Sequence, residues 1–379
     1  MKILVVSHAC VSPINQDFFS RVAALSRWDI TIMLPAQWKG EYGQRRAARW
    51  HRFGGRLIPV PVLLSGNIPL HVYAARVRRI LAQEQPDAIY VHHEAYAAAA
   101  FQIFLANARG PRVPIGFFSW QNLNKRYPWP FRVTERFVYR NASFAIAGTT
   151  AAIGVLRNKG YRAPAHPLSF GVDTGLYQPN GEAASSRRDA PLAVGYVGRI
   201  TPEKGVDTLM AALQVLGPNR AKAVVVGDGP AARTLKKRAE TLGLGSSIRW
   251  LGYVPHDQMP AVYRTMDVLA VPSRTTSNWT EQFGRVVIEA LACGVPVVTS
   301  DAGELPALVA RTDGGWIFPE GNAVALATIL DRLADRPADL SERGRSGRTA
   351  VQNGFDLDHA AADFVSVVRA TCDLRADPC

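Results

Sequence analysis

Two glutamates mark the segment in which functional chemistry is most concentrated. Glu281 and Glu289 stand eight residues apart in TEQFGRVVIEALACGVPVVTSDAG, and the second lies in an apolar run, where an unpartnered carboxylate would cost free energy. We predict a helix from near Gly284 to a cap at Gly294, whose first amides form a site for an anion. This helix could present amides to a phosphate and a carboxylate to hydroxyl groups beside it. A buried structural salt bridge is the alternative for Glu289.

Two upstream segments end predicted strands with residues that suit a phosphate. In GYVGRITPEKG, Gly198 and Arg199 follow a strand and Lys204 precedes a helix. A planar arginine fork and a lysine point charge together suit a diphosphate, and an exposed surface pair is the alternative. The second segment, VVVGDGP, contributes Gly227, Asp228 and Gly229. Glycine lets a backbone approach a ligand closely, although glycine turns at strand ends also arise for steric reasons alone.

A scaffold of alternating strands and helices would position these residues. Short β-branched runs alternate with helical patterns, which indicates βαβ units and parallel sheets. The predicted strands of the first half are KILVVS, DITIMLP, RLIPVPV, DAIYVHH, RVPIGFFS and ASFAIAG, and residues 69–85 are predicted as one helix. We expect an α/β protein with two Rossmann-like doubly wound domains that face each other across a deep cleft. Ligands of such sheets lie at the carboxyl ends of the strands.

Shifts in composition predict the domain boundaries. Residues 1–175 form the first domain in this interpretation, and residues 176–190, rich in Gly, Ser, Pro and charge, form a linker. Residues 191–354 form the second domain. Residues 355–379 are predicted as a helix that packs back toward the first domain.

The net charge of +13 is confined to the first half of the chain. Residues 1–175 contain 22 Lys and Arg against 8 Asp and Glu, whereas the remainder contains 22 against 23. Tryptophan and arginine alternate in WKGEYGQRRAARWHRFGGR and KRYPWPFRVTERFVYR, a mixture that suits an anionic lipid surface. A solvated arginine-rich surface is the alternative.

The four cysteines are scattered and lack the paired spacing of a zinc site, which indicates reduced structural thiols. No apolar stretch reaches the roughly 18 residues that cross a bilayer. MKILVVSHA is too short for a signal peptide and predicts a first buried strand. We therefore expect a cytoplasmic protein that could also bind peripherally to the cytoplasmic face of the membrane.

Together, these segments resemble the retaining nucleotide-sugar glycosyltransferases of family 4 (glycosyl transferases group 1), which have the GT-B fold. The resemblance rests on VGRITPEKG, VVGDGP, WLGYVP, FGVDTGLYQP and VPSRTTSNWTEQFGRVVIEALACGVPVVTSDAGELPALV. The family's two glutamates, separated by seven residues, are matched by Glu281 and Glu289. The resemblance implies transfer of a sugar from a nucleoside diphosphate sugar to a glycan or lipid-linked acceptor, with retention, in cell-envelope polysaccharide or glycolipid synthesis.

The resemblance also implies a role for each donor-side residue. Arg199 and Lys204 would neutralise the diphosphate as it leaves, so no metal and no cofactor are expected. Glu281 would bind hydroxyl groups of the donor sugar, and Glu289 the ribose of the nucleotide. The remaining donor-binding residues are Gly198, Gly227, Asp228, Gly229, Phe283, Gly284, Arg285 and Val286.

The first half departs from the family in two places. The glycine pair of the first strand–helix turn is replaced by SHACVSPINQDFF, which has no glycine. DAIYVHHEAY resembles the family's strand end, which places His92 and Glu94 on the acceptor side and makes His93 a candidate catalytic residue. A histidine that many relatives carry after the following strand is absent. In its place stand the candidate acceptor-side residues Trp120, Gln121 and Asn122.

Two other classes of function compete with the transferase. A nucleotide-sugar 2-epimerase shares the architecture, but the glutamate pair with Arg199 and Lys204 favours transfer. The basic half could also serve a non-enzymatic nucleic-acid-binding protein. It contains no recognisable helix-turn-helix, RRM or KH pattern, so no nucleic-acid partner is predicted.

Overall fold

The computed structural model describes residues 1–40, 43–168, 171–179 and 190–376. The chain forms two compact units, Met1–Phe170 with Leu357–Cys379, and Gly171–Asp356. Residues 171–175, predicted in the first domain, belong instead to the second unit, because Val172 pairs with Asp356 and its amide donates to the carbonyl of Phe355. Most of the predicted linker, residues 180–189, lies outside the described residues.

The strands have the following bounds: β1 (Lys2–Val6), β2 (Asp29–Pro35), β3 (Gln37–Gly40), β4 (Gly43–Arg46), β5 (Arg56–Val60), β6 (Val62–Leu63), β7 (Val72–Tyr73), β8 (Ala88–Val91), β9 (Ile115–Ser119), β10 (Phe144–Ala147), β11 (Ala165–Pro167), β12 (Leu192–Val197), β13 (Ala221–Val226), β14 (Ile248–Gly252), β15 (Val268–Val271), β16 (Val297–Ser300) and β17 (Gly315–Phe318).

The helices have the following bounds: α1 (Asp17–Ser26), α2 (Val77–Glu84), α3 (Ala98–Ala108), α4 (Trp129–Asn141), α5 (Thr150–Asn158), α6 (Val206–Leu216), α7 (Ala232–Thr241), α8 (Met259–Tyr263), α9 (Arg285–Ala292), α10 (Leu305–Thr312), α11 (Ala323–Ala334), α12 (Pro337–Gly354) and α13 (Leu357–Ala376). Among the residues that the structure describes, none of these helices is both long and apolar enough to cross a membrane.

Each unit is built on one parallel sheet with the same winding. The first sheet has the order β11-β10-β9-β8-β1-β2-β5, and the second has the order β14-β13-β12-β15-β16-β17. The chain therefore reverses direction across the sheet between β1 and β8 in the first unit, and between β12 and β15 in the second. Ligands of doubly wound sheets bind outside the carboxyl ends of the strands at such switch points. The predicted α/β class is confirmed for both units.

Apolar side chains cover both faces of each sheet. In the first unit, one face packs under α2 and α3, and the other packs under α1 and α13. Helix α13 contributes Phe364, which is fully buried and meets the rings of Phe18 and Tyr90 edge-on. The C-terminal helix thus completes the core of the first unit.

The helix predicted over residues 69–85 is wrong in its first half. Val72 and Tyr73 form β7, which pairs antiparallel with β6, and the helix begins only at Val77. The Gln102 side chain accepts from the Tyr73 amide at 2.9 Å and donates to its carbonyl at 2.8 Å. These tertiary partners stabilise an extended backbone where the local sequence favours a helix.

Close backbone packing holds together the carboxyl ends of β12 and β13. Gly227 follows β13 with φ = 124°, and a methyl group on its Cα would lie 1.9 Å from the carbonyl oxygen of Gly198. The Gly198 amide in turn donates to the carbonyl of Val226 at 3.0 Å. Only glycine tolerates both the dihedral angle and the contact.

Gly227→Ala should therefore destabilise the protein, by about 1–3 kcal/mol from backbone strain alone. Gly245→Ala, in the same unit, is the control, because a methyl group there meets no atom within 4 Å. The measurement is the free energy of unfolding from denaturant titration. Equal stability of the two variants would contradict this account of the turn.

Candidate active site

The Glu281 carboxylate is held at the switch point of the second sheet. Its Oε2 accepts from the Lys204 ammonium at 2.7 Å and from the Ser273 hydroxyl at 2.9 Å. Ser273 follows β15, and Lys204 lies in the turn that leads from β12 to α6. The backbone is fixed as well, since the Glu281 carbonyl accepts from the Glu304 amide at 3.1 Å. Glu281 is buried, and Lys204 is partly accessible and lies over the Trp279 ring at 4.7 Å.

Glu289 lies inside α9 and is satisfied by protein groups on both oxygens. Its Oε2 accepts from the Tyr263 hydroxyl and its Oε1 from Arg285 Nε, each at 2.9 Å. His256 Nδ1 lies 3.9 Å from the same Oε1. Burial, and then the charge of Glu289, raise the pKa of Tyr263, so this phenol stays a hydrogen-bond donor. The salt-bridge alternative therefore describes the structure, although each carboxylate oxygen retains a further lone pair.

The predicted helix that follows Glu281 and carries Glu289 is confirmed. It runs from Arg285 to Ala292, with Gly284 as the N-cap at φ = 79° and Gly294 beyond the end at φ = 76°. A methyl group on Gly284 would lie 2.8 Å from a Leu305 methyl carbon, so glycine is required there on two grounds. The first amides of a helix have no intrahelical acceptor and carry the positive end of its dipole. The start of α9 is therefore suited to an anion.

The predicted donor residues around the start of α9 lie in different environments. Phe283 is buried, and its ring lies 6.1 Å from that of Phe355, whereas Arg285 is exposed. Val286 is half-buried. Phe283 thus anchors the segment through its buried ring.

Arg199 is exposed at the carboxyl end of β12, where the strand order reverses. The neighbouring turn, after β13, is held by two hydrogen bonds. The Asp228 side chain accepts from the Gly229 amide at 2.7 Å, and the Asp228 carbonyl accepts from the Ile200 amide of the turn after β12 at 2.9 Å. A methyl group on Gly229 would lie 2.4 Å from the carbonyl oxygen of Ile200. Packing between the two turns accounts for the glycines of VVGDGP without a ligand.

In the first unit, His92 and His93 both turn inward from the end of β8. His93 is buried, with Nδ1 3.1 Å from His8 Nδ1 and Nε2 3.4 Å from the Tyr73 hydroxyl. His92 Nδ1 lies 3.3 Å from the Ser7 hydroxyl, and burial lowers the pKa of His92 to about 4. His93 exposes no ring nitrogen to a substrate in this arrangement. The geometry therefore gives no support to its predicted catalytic role.

Glu94 connects the ends of β8 and β9. Its carboxylate accepts from the Ser119 hydroxyl at 2.8 Å and from the Trp120 amide at 2.7 Å. Burial outweighs these two hydrogen bonds and raises the pKa of Glu94 to about 7. The Trp120 ring packs on Gly148, and Gln121 donates to the Tyr127 hydroxyl at 2.5 Å. Asn122, the third residue predicted after β9, is half-buried.

Sequence reasoning missed the side chains that hold the two glutamates. Ser273 and Tyr263 donate to the glutamates, and Trp279 lies under Lys204. All three lie within 20 residues of Glu281, but residue type alone gave no signal for them. Ser273 ends the apolar run DVLAVPS, which was a usable clue, since the ends of parallel strands meet at the ligand edge of the sheet.

Comparison with known proteins identifies the family. Residues 180–349 match the model "Glycosyl transferases group 1", and residues 19–171 match "Glycosyl transferase 4-like domain". A D-inositol 3-phosphate glycosyltransferase from Stackebrandtia nassauensis is 31% identical over 84% of this chain and 77% of its own length. A GDP-mannose-dependent alpha-(1-6)-phosphatidylinositol monomannoside mannosyltransferase from Mycobacterium tuberculosis is 29% identical over 93% of this chain and 92% of its own length.

Solved structures agree on the fold. That of Anabaena Alr3699/HepE, in complex with UDP-glucose, superposes with a TM-score of 0.75 over 98% of this chain and 100% of that one, at 21% identity. Sucrose-phosphate synthase from Thermosynechococcus elongatus superposes with a TM-score of 0.76 over 98% of both chains, at 19% identity. The two doubly wound sheets, the start of α9 and the paired glutamates thus occur in a chain with the GT-B fold. The chain belongs to the group 1 glycosyltransferases and is a nucleotide-sugar-dependent glycosyltransferase.

Proposed function

We propose that this glycosyltransferase moves a mannosyl residue from GDP-mannose to an inositol-containing glycolipid or its headgroup precursor, with retention of anomeric configuration. The support is the pair of relatives above, one of which is named for GDP-mannose and both of which are named for inositol-containing compounds. UDP-sugars are the second donor class to be tested.

The observation that carries the donor site is the Lys204–Glu281 pair beside the start of α9. Lysine has three N–H donors, so Lys204 can keep its 2.7 Å contact with Glu281 and still donate to a diphosphate. Arg199, Lys204 and the first amides of α9 would stabilise the charge that develops on the leaving diphosphate.

Both glutamates keep acceptor capacity for the donor. Glu281 would accept from hydroxyl groups of the sugar and Glu289 from the ribose, because a carboxylate has about four lone-pair sites and can accept several hydrogen bonds at once. Gly198, Gly227, Asp228 and Gly229 would support this site by shaping the strand ends. Gly227 packs on the Gly198 backbone and Gly229 on that of Ile200, whose amide donates to the Asp228 carbonyl.

Glu281→Gln and Lys204→Gln should each lower kcat/KM for sugar transfer by about 100-fold or more, because each removes a charged contact that the transition state needs. Glu240→Gln and Lys237→Gln are matched controls on the exposed surface of α7 in the same unit. The assay is transfer from radiolabelled GDP-mannose to a phosphatidylinositol glycolipid, with circular dichroism as a check on folding.

Two results would overturn the donor site or the reaction. Activity of both site variants within threefold of their controls would refute the site. Release of a free sugar inverted at C2, in the absence of any acceptor, would instead establish the epimerase alternative.

We propose that the acceptor binds beside Glu94 in the first unit. The pKa of the Glu94 carboxyl group is raised to about 7, so this group titrates near neutral pH. The folded state holds this proton up to about pH 7, whereas an ordinary glutamate loses it near 4.5. A group that exchanges a proton with an acceptor hydroxyl needs a pKa near the working pH. Ser119 and the Trp120 amide hold the carboxyl group in place.

The titration of Glu94 should be visible in protein stability. Because the folded state binds the Glu94 proton more tightly than the unfolded chain does, the free energy of unfolding should fall as pH rises from 4.5 to about 7. Glu94→Gln should remove this part of the decline, and Asp363→Asn, an exposed change on α13, should not. Denaturant titrations at half-unit pH intervals measure the free energy of unfolding of each variant. Identical pH profiles for wild type and Glu94→Gln would refute the raised pKa.

We also propose that α4 docks on an anionic membrane to reach a lipid acceptor. Trp129 and Val133 are 71% and 48% exposed on this helix, and Arg132, Arg136 and Arg140 are exposed with them. The other basic segment, WKGEYGQRRAARWHRFGGR, is less suited to membrane docking because its tryptophans are engaged within the protein. Trp38 packs against the core, and the Trp50 indole N–H donates to Asp17 at 2.7 Å.

Arg132→Gln combined with Arg136→Gln should weaken binding to phosphatidylserine vesicles by about 30-fold, at about 1 kcal/mol for each charge near the surface. Arg233→Gln combined with Arg238→Gln removes the same charge from exposed sites on α7 and should change binding less than threefold. Vesicle sedimentation at two salt concentrations measures this. Wild-type binding that is absent, or insensitive to salt, would rule out the docking surface.

A further inference from the structure

Three histidines far apart in the sequence converge in the first unit. His8 follows β1, His93 follows β8, and His71 directly precedes β7. One ring nitrogen from each lies within 4.8 Å of the others. The ring centroids are 4.7 Å apart for His8 and His93, 5.0 Å for His71 and His93, and 5.6 Å for His8 and His71. We call His8, His71 and His93 the histidine cluster.

The hydrogen bonds of His71 define which of its nitrogens can act as a ligand. Its Nδ1 lies 3.1 Å from the Asn67 carbonyl and 3.0 Å from the Ile68 carbonyl. Both partners are acceptors, so Nδ1 carries the proton and Nε2 has a lone pair. His71 is fully buried, and its Nε2 has no hydrogen-bond partner among the described residues. A buried acceptor without a partner calls for an explanation, and an imidazole oriented by a carbonyl is the usual arrangement of a metal ligand.

His8 and His93 present a second unusual contact. Their Nδ1 atoms are 3.1 Å apart, and His93 Nε2 lies 3.4 Å from the Tyr73 hydroxyl. When His93 donates from Nε2 to Tyr73, its Nδ1 lone pair points at His8. The rings of His8 and His71 also lie 5.0 Å and 4.8 Å from the Trp38 ring, so one side of the cluster is closed by an apolar wall.

We propose that the histidine cluster binds one divalent transition-metal ion of the zinc class, with three imidazole ligands and a fourth position open beside the half-buried His8. Imidazole suits zinc, copper, nickel and iron, and three-histidine sites with an open position are typical of zinc. Zinc–nitrogen bonds of about 2.0–2.1 Å place tetrahedral ligand atoms about 3.4 Å apart. The three ring nitrogens lie within 4.8 Å of one another, so the widest separation must close by up to about 1.4 Å.

The position of the cluster gives the ion a possible role. His8 and His93 follow β1 and β8, which flank the switch point of the first sheet, where ligands of doubly wound sheets bind. A metal ion there would hold an oxygen atom of the acceptor, a hydroxyl or a phosphate, in its open position. All three histidines belong to the first unit, whereas the donor residues belong to the second.

The test is metal binding by the full-length, untagged protein after removal of bound ions with a chelator and dialysis. Zn²⁺, titrated in competition with a chromophoric chelator, should bind with one equivalent per chain, and Co²⁺ should give the absorption of a tetrahedral site. His8→Asn and His71→Gln should each weaken Zn²⁺ binding at least tenfold. His51→Asn, an exposed histidine of the same unit, is the matched control and should bind as wild type does.

Because His71 is buried, His8→Asn is the decisive variant, and circular dichroism in the presence of chelator verifies its fold. Binding by His8→Asn equal to that of wild type would overturn the proposal, and so would less than half an equivalent of Zn²⁺ on the wild-type protein. No nucleotide sugar is present in this experiment, so its failure leaves the proposed transfer reaction untouched. Failure of the transfer assay likewise leaves the metal site in place.

Discussion

The structure depends on one constraint of parallel sheets: all the strands of a sheet deliver their carboxyl ends to the same edge. Each unit uses this edge at the point where the strand order reverses. In the second unit it brings together Arg199 after β12 and Ser273 after β15, although 74 residues separate them. In the first unit it brings together His8 after β1 and His93 after β8. Backbone pairing alone thus brings functional side chains to one sheet edge in each unit.

Buried carboxylates are tolerated at these edges because each is given specific donors. Glu281 has a lysine and a serine hydroxyl, and Glu289 has a tyrosine hydroxyl and an arginine. Glu94 has only neutral donors, and burial then dominates and raises its pKa to about 7. A cationic partner favours an ionised carboxylate more strongly than a neutral donor does.

The strands were the most predictable elements because a buried parallel strand is a continuous β-branched run bounded by turn residues. All six strands predicted in the first half occur, and so does the helix that carries Glu289. The short hairpin strands were not predictable. Tyr73 is extended because β6 pairs with it and because Gln102, 29 residues later, satisfies its backbone amide and carbonyl. Helix α4 was also missed, since its exposed face is a mixture of tryptophan, valine and arginine without a clean apolar period.

The sequence by itself determined the family and the helix that carries Glu289, and it predicted the donor-side residues. These features are encoded in local spacing: a strand end, a turn glycine, and two acids on either side of a helix start. Only the tertiary structure decided which groups partner those acids, that the Gly198 and Gly227 turns pack on each other, and that His8, His71 and His93 meet. The contacts of Lys204 with Glu281, of Tyr263 with Glu289 and of Gly198 with Gly227 join residues from different βα units, as the histidine contacts do, and the order of strands in the sheet sets their proximity. Strand order is a property of long-range pairing that no local pattern in the chain encodes.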